Sequence, residues 1–268
     1  MTNEHEREID SRESVRVATA NNFLRATGLE DISLKARKLL YLAITQCKKS
    51  DSEFFEYSIS ATEFARLMDI VPQAVYKEAD MMTDELMHGF IKYVPEGKKG
   101  FTKFNLFEKC TYIDGTLTFQ MSKDMTPILL NLKRDFTQPL LADFMRMRSS
   151  FSMEIWHLMQ REMRSHKTGV TDVCEFDLTL QELRTITGTT DKFVRLSQFK
   201  AKVLDKAIKE IADNCGIIVD YTDIKKGRKV VAFHFIAKSL YYISLEEISL
   251  ETRERVAYTK KRLATKRL

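Results

Sequence analysis

The stretch that decides the fold runs from Thr179 to Lys238 and reads TLQELRTITGTTDKFVRLSQFKAKVLDKAIKEIADNCGIIVDYTDIKKGRKVVAFHFIAK. It opens with Thr179 and Glu182 at the spacing of a capping box, which predicts a short helix ending near Thr187. A glycine turn separates this helix from a longer one, predicted from about Lys192 to Asn214. The longer helix carries an apolar stripe with a period close to 3.6 residues, made of Phe199, Val203, Leu204, Ala207, Ile208 and Ile211. Two helices joined in this way are typical of a helix-turn-helix.

The segments around these two helices complete a predicted module. After them, alternating residues predict strands at Ile217–Asp223 and Lys229–Ile236, closed by the turn Lys225-Lys226-Gly227-Arg228. Before them, Phe151–Arg164 has the pattern of an amphipathic helix and Val173–Leu178 that of a strand. Helix, strand, helix, helix and hairpin is the element order of a winged helix-turn-helix module.

The same order is predicted a second time, nearer the N-terminus. Its elements are a helix capped by Ser33 and running to Cys47, a strand at Phe55–Ile59, helices at Ser60–Met68 and Pro72–His88, and strands at Phe101–Ile113 and Thr116–Met121. Asp114-Gly115 is a hairpin signal between the last two strands, and Ser60 with Glu63 repeats the capping-box spacing. The stretches Glu63-Phe64-Ala65-Arg66-Leu67 and Glu182-Leu183-Arg184-Thr185-Ile186 lie 119 residues apart. We therefore predict an α+β fold of two tandem winged helix-turn-helix domains; the alternative is one mixed domain in which similar elements recur by accident.

Four segments follow from this interpretation. They are a polar N-terminal segment at 1–32, a first winged-helix domain at 33–135, a second at 136–238 and a basic C-terminal tail at 239–268.

The net charge is +5, and residues 251–268 alone contribute seven basic and two acidic side chains, which also makes +5. The charge of the tail suits a polyanionic partner, although most basic tails are simply solvated.

The composition excludes several other classes of protein. With 44% hydrophobic and 30% charged residues the chain has the profile of a soluble globular protein, and no apolar run approaches the ~18 residues that span a bilayer. The four cysteines form no CxxC pair, which argues against structural zinc and fits a reduced, cytosolic setting. A phosphate-binding loop, a GxSxG sequence, an HExxH sequence and a closely spaced histidine pair are all missing. We therefore expect no catalytic residues, no metal and no cofactor.

The second long helix and the hairpin after it carry the predicted binding surface. The helix face opposite the apolar stripe is polar and basic: it bears Arg195, Gln198, Lys202 and Lys209, with Lys192 and Lys200 flanking it. Such a face fits the major groove, where arginine and lysine contact guanine and glutamine contacts adenine. The hairpin turn adds four cations that suit the phosphate backbone, namely Lys225, Lys226, Arg228 and Lys229. Taken alone the helix face could be merely solvated, but helix and hairpin together favour binding to double-stranded DNA.

The corresponding surface of the first module is less basic. Its DNA-binding candidates are Gln73, Tyr76 and Lys77 at the helix start, with Lys98, Lys99 and Lys103 near its wing. The same helix carries Glu78, Asp80, Asp84 and Glu85, which would repel phosphates unless they lie away from the DNA. A protein–protein surface is therefore the alternative role for this module.

The chain resembles the two-winged-helix replication initiators of iteron-type, theta-replicating plasmids, such as the initiator of the F plasmid. The resemblance runs from about Ser33 to Lys238, and the stretches that carry it are Lys38-Leu39-Leu40-Tyr41-Leu42, Phe136-Thr137-Gln138, Arg195 with Phe199-Lys200-Ala201-Lys202, and Ile224-Lys225-Lys226-Gly227-Arg228. It implies a bacterial cytoplasmic protein that binds repeated origin DNA, promotes local opening and recruits host replication proteins such as the helicase. It also implies self-association through the first module and repression of the protein's own gene at an inverted repeat.

One position departs from the family pattern. The family carries a run of arginines where this chain reads Lys200-Ala201-Lys202, and Ala201 offers no charged contact, so we expect a different DNA sequence preference. Lysine also lacks the bidentate fork of arginine, so guanine contacts are less strongly indicated at these positions. Two other functions remain open at this stage: a dedicated winged-helix transcriptional repressor, and an adaptor whose basic surface meets an acidic protein.

Overall fold

The computed structural model describes residues 6–8, 19–20, 27–47, 51–93, 99–130, 136–137, 141–165 and 173–239. The chain divides into two compact units, Met1–Met145 and Arg146–Leu268. The domain bounds expected from the sequence stay a prediction, and Lys98, Gln138 and the tail beyond Ser239 lie outside the described residues. Within the described ranges, no helix has the length and apolar character needed to cross a membrane.

The first unit contains five helices and eight strands in its described residues. The helices are α1 (Leu34–Gln46), α2 (Ala61–Met68), α3 (Val75–His88), α4 (Thr126–Leu129) and α5 (Leu141–Arg146). The strands are β1 (Glu6–Glu8), β2 (Thr19–Ala20), β3 (Glu56–Ser60), β4 (Phe90–Tyr93), β5 (Thr102–Asn105), β6 (Phe107–Ile113), β7 (Thr116–Met121) and β8 (Phe136–Thr137). The main sheet has the order β1-β3-β7-β6, β4 pairs with β5, and β2 pairs with β8. Helices α1, α2 and α3 with the β6–β7 hairpin make this unit a winged helix.

The second unit repeats the arrangement. Its helices are α6 (Ser150–Ser165), α7 (Leu180–Ile186), α8 (Leu196–Phe199) and α9 (Asp205–Cys215), and its strands are β9 (Val173–Thr179), β10 (Ile217–Lys226) and β11 (Lys229–Ser239). A π-helical turn, Lys200–Leu204, joins α8 to α9 into one continuous helix. The sheet has the antiparallel order β10-β11-β9, and β10 and β11 form the wing.

The first helix of each helix-turn-helix, α2 in the first unit and α7 in the second, begins and ends in the same way. The hydroxyl oxygen of Ser60 accepts a hydrogen bond from the Glu63 N–H at 3.2 Å, and that of Thr179 accepts one from the Glu182 N–H at 3.0 Å. These side-chain caps satisfy amide donors that have no partner inside the helix. Just after the two helices, Asp69 and Gly188 both take left-handed φ values, 53° and 60°. Both pairs are 119 residues apart, so the predicted repeat is confirmed at the level of single caps.

Apolar side chains from the predicted stripe form the core of the second unit. All six residues predicted for the stripe are buried, among them Phe199 and Ile211. The sheet contributes buried Phe233 and Phe235 to the core, and the ring of Phe235 stacks on that of Phe176 with centroids 5.5 Å apart. Each such side chain stabilises the fold by about 1.5–3 kcal/mol relative to an exposed position.

The structure departs from the sequence prediction at several elements: β1, β2, β8, α4 and α5 were not predicted, and three further differences lie closer to the helix-turn-helix segments and wings. The long helix begins at Leu196 and not at Lys192, because residues 189–194 form an extended turn. The strand predicted at Phe101–Ile113 is two strands, since buried Leu106 interrupts it and β5 pairs with β4 while β6 pairs with β7. Strand β4 was not predicted, because four residues with no strict alternation are specified only by the partner strand that they meet.

His157 makes the stability of the second unit depend on pH. The imidazole lies wholly buried on α6, and burial together with the charge of Arg161 lowers its pKa to about 3. In the unfolded chain the imidazole binds a proton near pH 6.5, whereas in the folded chain it stays neutral at that pH. The free energy of unfolding is therefore highest above pH 6.5 and falls as the pH drops towards 3. We expect this group to remove about 2 kcal/mol of unfolding free energy between pH 6.5 and pH 5. Urea unfolding of wild type and His157→Gln at both pH values checks it, and an equal pH dependence of the two proteins would contradict it.

Candidate nucleic-acid interface

The N-terminal end of the long helix presents its polar side chains to solvent. Arg195 caps α8, and its carbonyl oxygen accepts hydrogen bonds from the N–H groups of Gln198 and Phe199 at 3.0 and 3.1 Å. The side chains of Arg195, Gln198 and Lys202 are exposed, whereas Phe199 points into the core. Lys192, in the turn before the helix, is also exposed. The structure therefore brings these four predicted residues to the solvent side of one helix and the turn before it.

The side chain of Lys200 contacts strand β10 of its own unit, unlike the exposed side chains of Arg195, Gln198 and Lys202. Its ammonium Nζ lies 2.7 Å from Asp223 Oδ1 on β10 and 5.2 Å from the centre of the Tyr221 ring. An ammonium held by a carboxylate and an aromatic face in its own unit is less available to a phosphate or a base. The predicted role of Lys200 in the DNA groove stays a prediction, and its partner Asp223 is too distant in sequence for helical spacing to indicate it.

The same contact places the wing beside the long helix. Asp223 and Tyr221 lie on β10, shortly before the cationic turn, and the Tyr221 hydroxyl donates to Asp205 Oδ1 at 2.7 Å. Burial, followed by the hydrogen bond and the charge of Asp205, raises the pKa of Tyr221, so this hydroxyl remains a donor. Lys200 and Asp205 therefore attach the two ends of the π-helical turn to the strand that leads into the wing.

The wing tip carries four exposed cations. Lys225, Lys226, Arg228 and Lys229 are all exposed, and across the turn Lys226 pairs directly with Lys229. Within the part of the chain that the structure describes, no carboxylate lies within ion-pair distance of any of the four. Like charges opposite one another in a sheet repel, and a bound polyanion removes that repulsion. The wing therefore has the electrostatic character of a phosphate-binding element.

Arg184 on α7 holds the turn that leads into the long helix. Its guanidinium donates to the carbonyl oxygens of Thr189, Lys192 and Phe193 at 2.9 Å each and of Val194 at 3.3 Å. The guanidinium carbon also lies 4.7 Å from the centre of the Phe199 ring. Sequence reasoning did not identify Arg184 as functional, because periodicity shows only an exposed basic residue on a short helix.

In the first unit the candidates at the helix start lie at the surface. Gln73 is exposed in the 3-10 turn Pro72–Ala74, and Tyr76 and Lys77 are exposed on the first turn of α3. The Tyr76 ring meets the ring of Tyr112 edge-on, with centroids 5.6 Å apart. This surface therefore combines an amide, an aromatic ring and a cation.

Two of the carboxylates on α3 have partners at the start of α1. Glu78 forms an ion pair with Lys35 at 2.7 Å, and a carboxylate oxygen of Glu85 accepts a hydrogen bond from the Ser33 N–H at 2.7 Å. These contacts face the helix cap of α1, so they reduce the repulsion that the sequence predicted along α3. Asp80 and Asp84 remain exposed.

Of the three lysines predicted beside the first wing, Lys99 and Lys103 are among the described residues. Lys99 is exposed, and Lys103 lies on β5 with its ammonium 4.2 Å from the centre of the Phe90 ring. The wing turn proper is Asp114–Gly115, between β6 and β7. The predicted strand that joined Lys103 to the wing is two strands, because the sequence pattern did not separate β5 from β6. The predicted contact of Lys103 with DNA stays a prediction.

Two units that each contain a helix-turn-helix and an antiparallel hairpin define a tandem winged-helix protein. Family models agree with this class: "Initiator Replication protein, WH1" matches residues 16–160 and "Initiator Rep protein, WH2" matches residues 179–237. The chain belongs to this family of initiator replication proteins. Within the described ranges, no three His, Cys, Asp or Glu side chains group as metal ligands.

Two known proteins illustrate the similarity. The PI protein of Escherichia coli is 23% identical over 237 residues, which cover 77% of this chain and 78% of that protein. The crystal structure of the Pi initiator protein in complex with iteron DNA superposes with a TM-score of 0.70 at 21% identity, covering 85% of this chain and 98% of that one. The likeness in structure confirms the predicted fold, and the family match confirms the resemblance to replication initiators. The particular likeness to the F-plasmid initiator stays a prediction.

Proposed function

We propose that this chain is a plasmid replication initiator that binds repeated origin DNA, the iterons, in a sequence-specific manner and promotes opening of the origin. The observation that carries the proposal is the juxtaposition in the second unit of an exposed polar helix face and a wing with four exposed cations, joined through Lys200 and Asp223. Membership of the initiator replication family and the iteron DNA bound by the similar Pi initiator support it.

In this proposal the second unit reads the sequence. The N-terminal end of the long helix enters the major groove, where Arg195 contacts a guanine and Gln198 an adenine. Lys192 and Lys202 flank these contacts, and the wing cations bind phosphates on the same strip of duplex. Gln73, Tyr76 and Lys77 of the first unit, with Lys98, Lys99 and Lys103, make a second set of contacts.

The proposed activity is binding alone and involves no catalysis, metal or cofactor. It takes place in the bacterial cytoplasm, where protomers on adjacent repeats open the duplex and recruit host replication proteins such as the helicase. Self-association and repression of the protein's own gene at an inverted repeat belong to the same proposal. The proposal is supported if the protein protects tandem repeats beside its gene and if replication requires both the repeats and the protein. Protection of a lone inverted repeat without replication would identify a repressor, and failure to bind any duplex at low salt would refute the proposal.

Replacing Arg195 by alanine is expected to relax the sequence preference at one base pair. A bidentate arginine–guanine contact contributes about 1–3 kcal/mol of discrimination, so the variant should lose that margin against the repeat substituted at the contacted position. Competition binding with singly substituted repeats measures it. Lys226→Ala is the matched control, because removing a phosphate-binding cation from the wing weakens binding to all duplexes alike. Unchanged discrimination at every position in Arg195→Ala would show that this residue does not read a base.

A further inference from the structure

The turn inside the helix-turn-helix is longer in the second unit than in the first. After Asp69 the next helical turn begins three residues later, at Pro72. After the matching Gly188, the long helix begins eight residues later, at Leu196. Arg184 corresponds to Ala65 at the common offset of 119 residues, and Ala65 is buried. The arginine and the longer turn therefore occur together in the second unit.

The guanidinium of Arg184 binds the backbone carbonyl oxygens of this longer turn. Its planar fork donates to four carbonyl oxygens spread over Thr189–Val194, a set of contacts that the single ammonium of a lysine does not reproduce. Phe193, within the turn, has a φ of 50°, a conformation unusual for a residue with a Cβ atom. Such a conformation persists when surrounding contacts hold it. The carbonyls of both Phe193 and Val194 are held in this way.

Val194, at the end of the turn that Arg184 holds, has its side chain exposed to solvent. It is 78% exposed, the highest value among the large apolar side chains that the structure describes, and it directly precedes the helix cap Arg195. A valine side chain is stiff at χ1, so fixing its backbone also fixes its methyl groups. The major groove offers one apolar group to such a side chain, the 5-methyl group of thymine.

We propose that Val194 contacts a thymine methyl group in the major groove and that Arg184 is the positioning residue that holds it there. This inference rests on the proposed function, because it requires the long helix of the second unit to lie in the groove of a duplex. It adds an apolar base contact to the polar contacts of Arg195 and Gln198. The reading surface, meaning the residues that contact base edges, then includes Val194 of the longer turn as well as these two helix residues.

Replacing thymine by uracil, one position at a time, tests the contact with the base. The substitution removes the 5-methyl group and leaves base pairing unchanged. For the wild-type protein on its protected repeat, we expect a loss of about fourfold in affinity at one thymine, the effect of one buried methyl group. Val194→Ala should bind the unmodified repeat more weakly and show no further loss at that thymine. Val71→Ala, a 64% exposed valine before the corresponding helix of the first unit, is the matched control and should keep the sensitivity.

Arg184→Lys tests the positioning role, since it keeps the charge and removes the fork. We expect this variant to lose the uracil sensitivity at the same thymine and to discriminate less between the repeat and a scrambled duplex. Binding to the scrambled duplex should be unchanged, whereas a merely destabilised protein would lose affinity for both duplexes in proportion. Arg184→Lys with wild-type sensitivity would refute the role of Arg184.

Two results separate this inference from the proposed function. A wild-type protein that binds no duplex at low salt refutes the proposed function. A wild-type protein that binds its repeat and is indifferent to uracil at every thymine refutes the contact made by Val194 and leaves the proposed function standing. A Val194→Ala variant that keeps the wild-type sensitivity refutes the contact as well.

Discussion

Neutralising the wing by the changes Lys225→Gln, Lys226→Gln, Arg228→Gln and Lys229→Gln is expected to lower affinity for every duplex by about a thousandfold near 0.15 M salt. Each phosphate contact releases counterions and contributes about −0.9 to the slope of log K against log salt. All four cations are exposed and surround a turn in which Gly227 takes a φ of 64°. Removing all four should therefore make that slope less negative by about 3.6. Titration of the repeat and of a scrambled duplex between roughly 0.05 and 0.3 M salt measures both quantities.

The control for the wing variant removes cations that already have partners. Arg66 and Lys109 form ion pairs with Glu63 and Glu56, each at 2.6 Å, in the first unit. The double change of these two residues to glutamine should leave the salt slope unchanged. A wing double variant of Lys225 and Lys226 removes the same number of charges and should lower affinity about thirtyfold. Equal salt slopes for the two double variants would contradict phosphate binding by the wing.

Replacing Phe199 by alanine is expected to lower the free energy of unfolding by about 3–5 kcal/mol. The ring is wholly buried at the end of α8, where it packs under the guanidinium of Arg184. Its removal leaves a cavity in a core shared by the long helix and the sheet, and it takes away one support of the turn before Val194. Urea unfolding gives the stability, and the specific-to-scrambled affinity ratio gives the effect on the reading surface.

Two variants bracket the expected effect of Phe199→Ala. Phe199→Leu keeps an apolar side chain of smaller volume and should be destabilised less. Phe101→Ala removes a phenylalanine that is 59% exposed in the first unit, and it should change the unfolding free energy by about 0.5 kcal/mol or less. A loss of stability in Phe199→Ala no larger than that in Phe101→Ala would contradict the assigned packing.

Local patterns in the sequence predicted most of the architecture. The caps at Ser60 and Thr179 were found from spacing alone, because a side-chain cap depends on residues only three apart. The stripe from Phe199 to Ile211 was found for the same reason, since helical periodicity is a local property. The order of elements then sufficed to predict two winged helices, and the family match agrees with it.

Contacts that form only when the chain folds back on itself were not predictable in this way. The pairing of Lys200 with Asp223 depends on where β10 passes, and the closure of the turn by Arg184 depends on how residues 189–194 fold back against α7. Strand β4 is another such case, since its four residues become a strand through pairing with β5. Each of these features changes the site: Lys200 is paired with Asp223, Arg184 binds the carbonyl oxygens of the turn before the long helix, and Lys103 lies on β5.

The sequence by itself determined the two winged helices, the basic character of the second one and the residues at its helix and wing, because capping, periodicity and turn chemistry act over a few neighbouring residues. Only the tertiary structure decided which of those side chains are free to meet a ligand. That choice depends on partners tens of residues away, such as Asp223 for Lys200, and on the carbonyl oxygens that the folded turn collects around Arg184. Hydrogen bonds and ion pairs of this kind form between groups that folding brings together, so no local pattern encodes them.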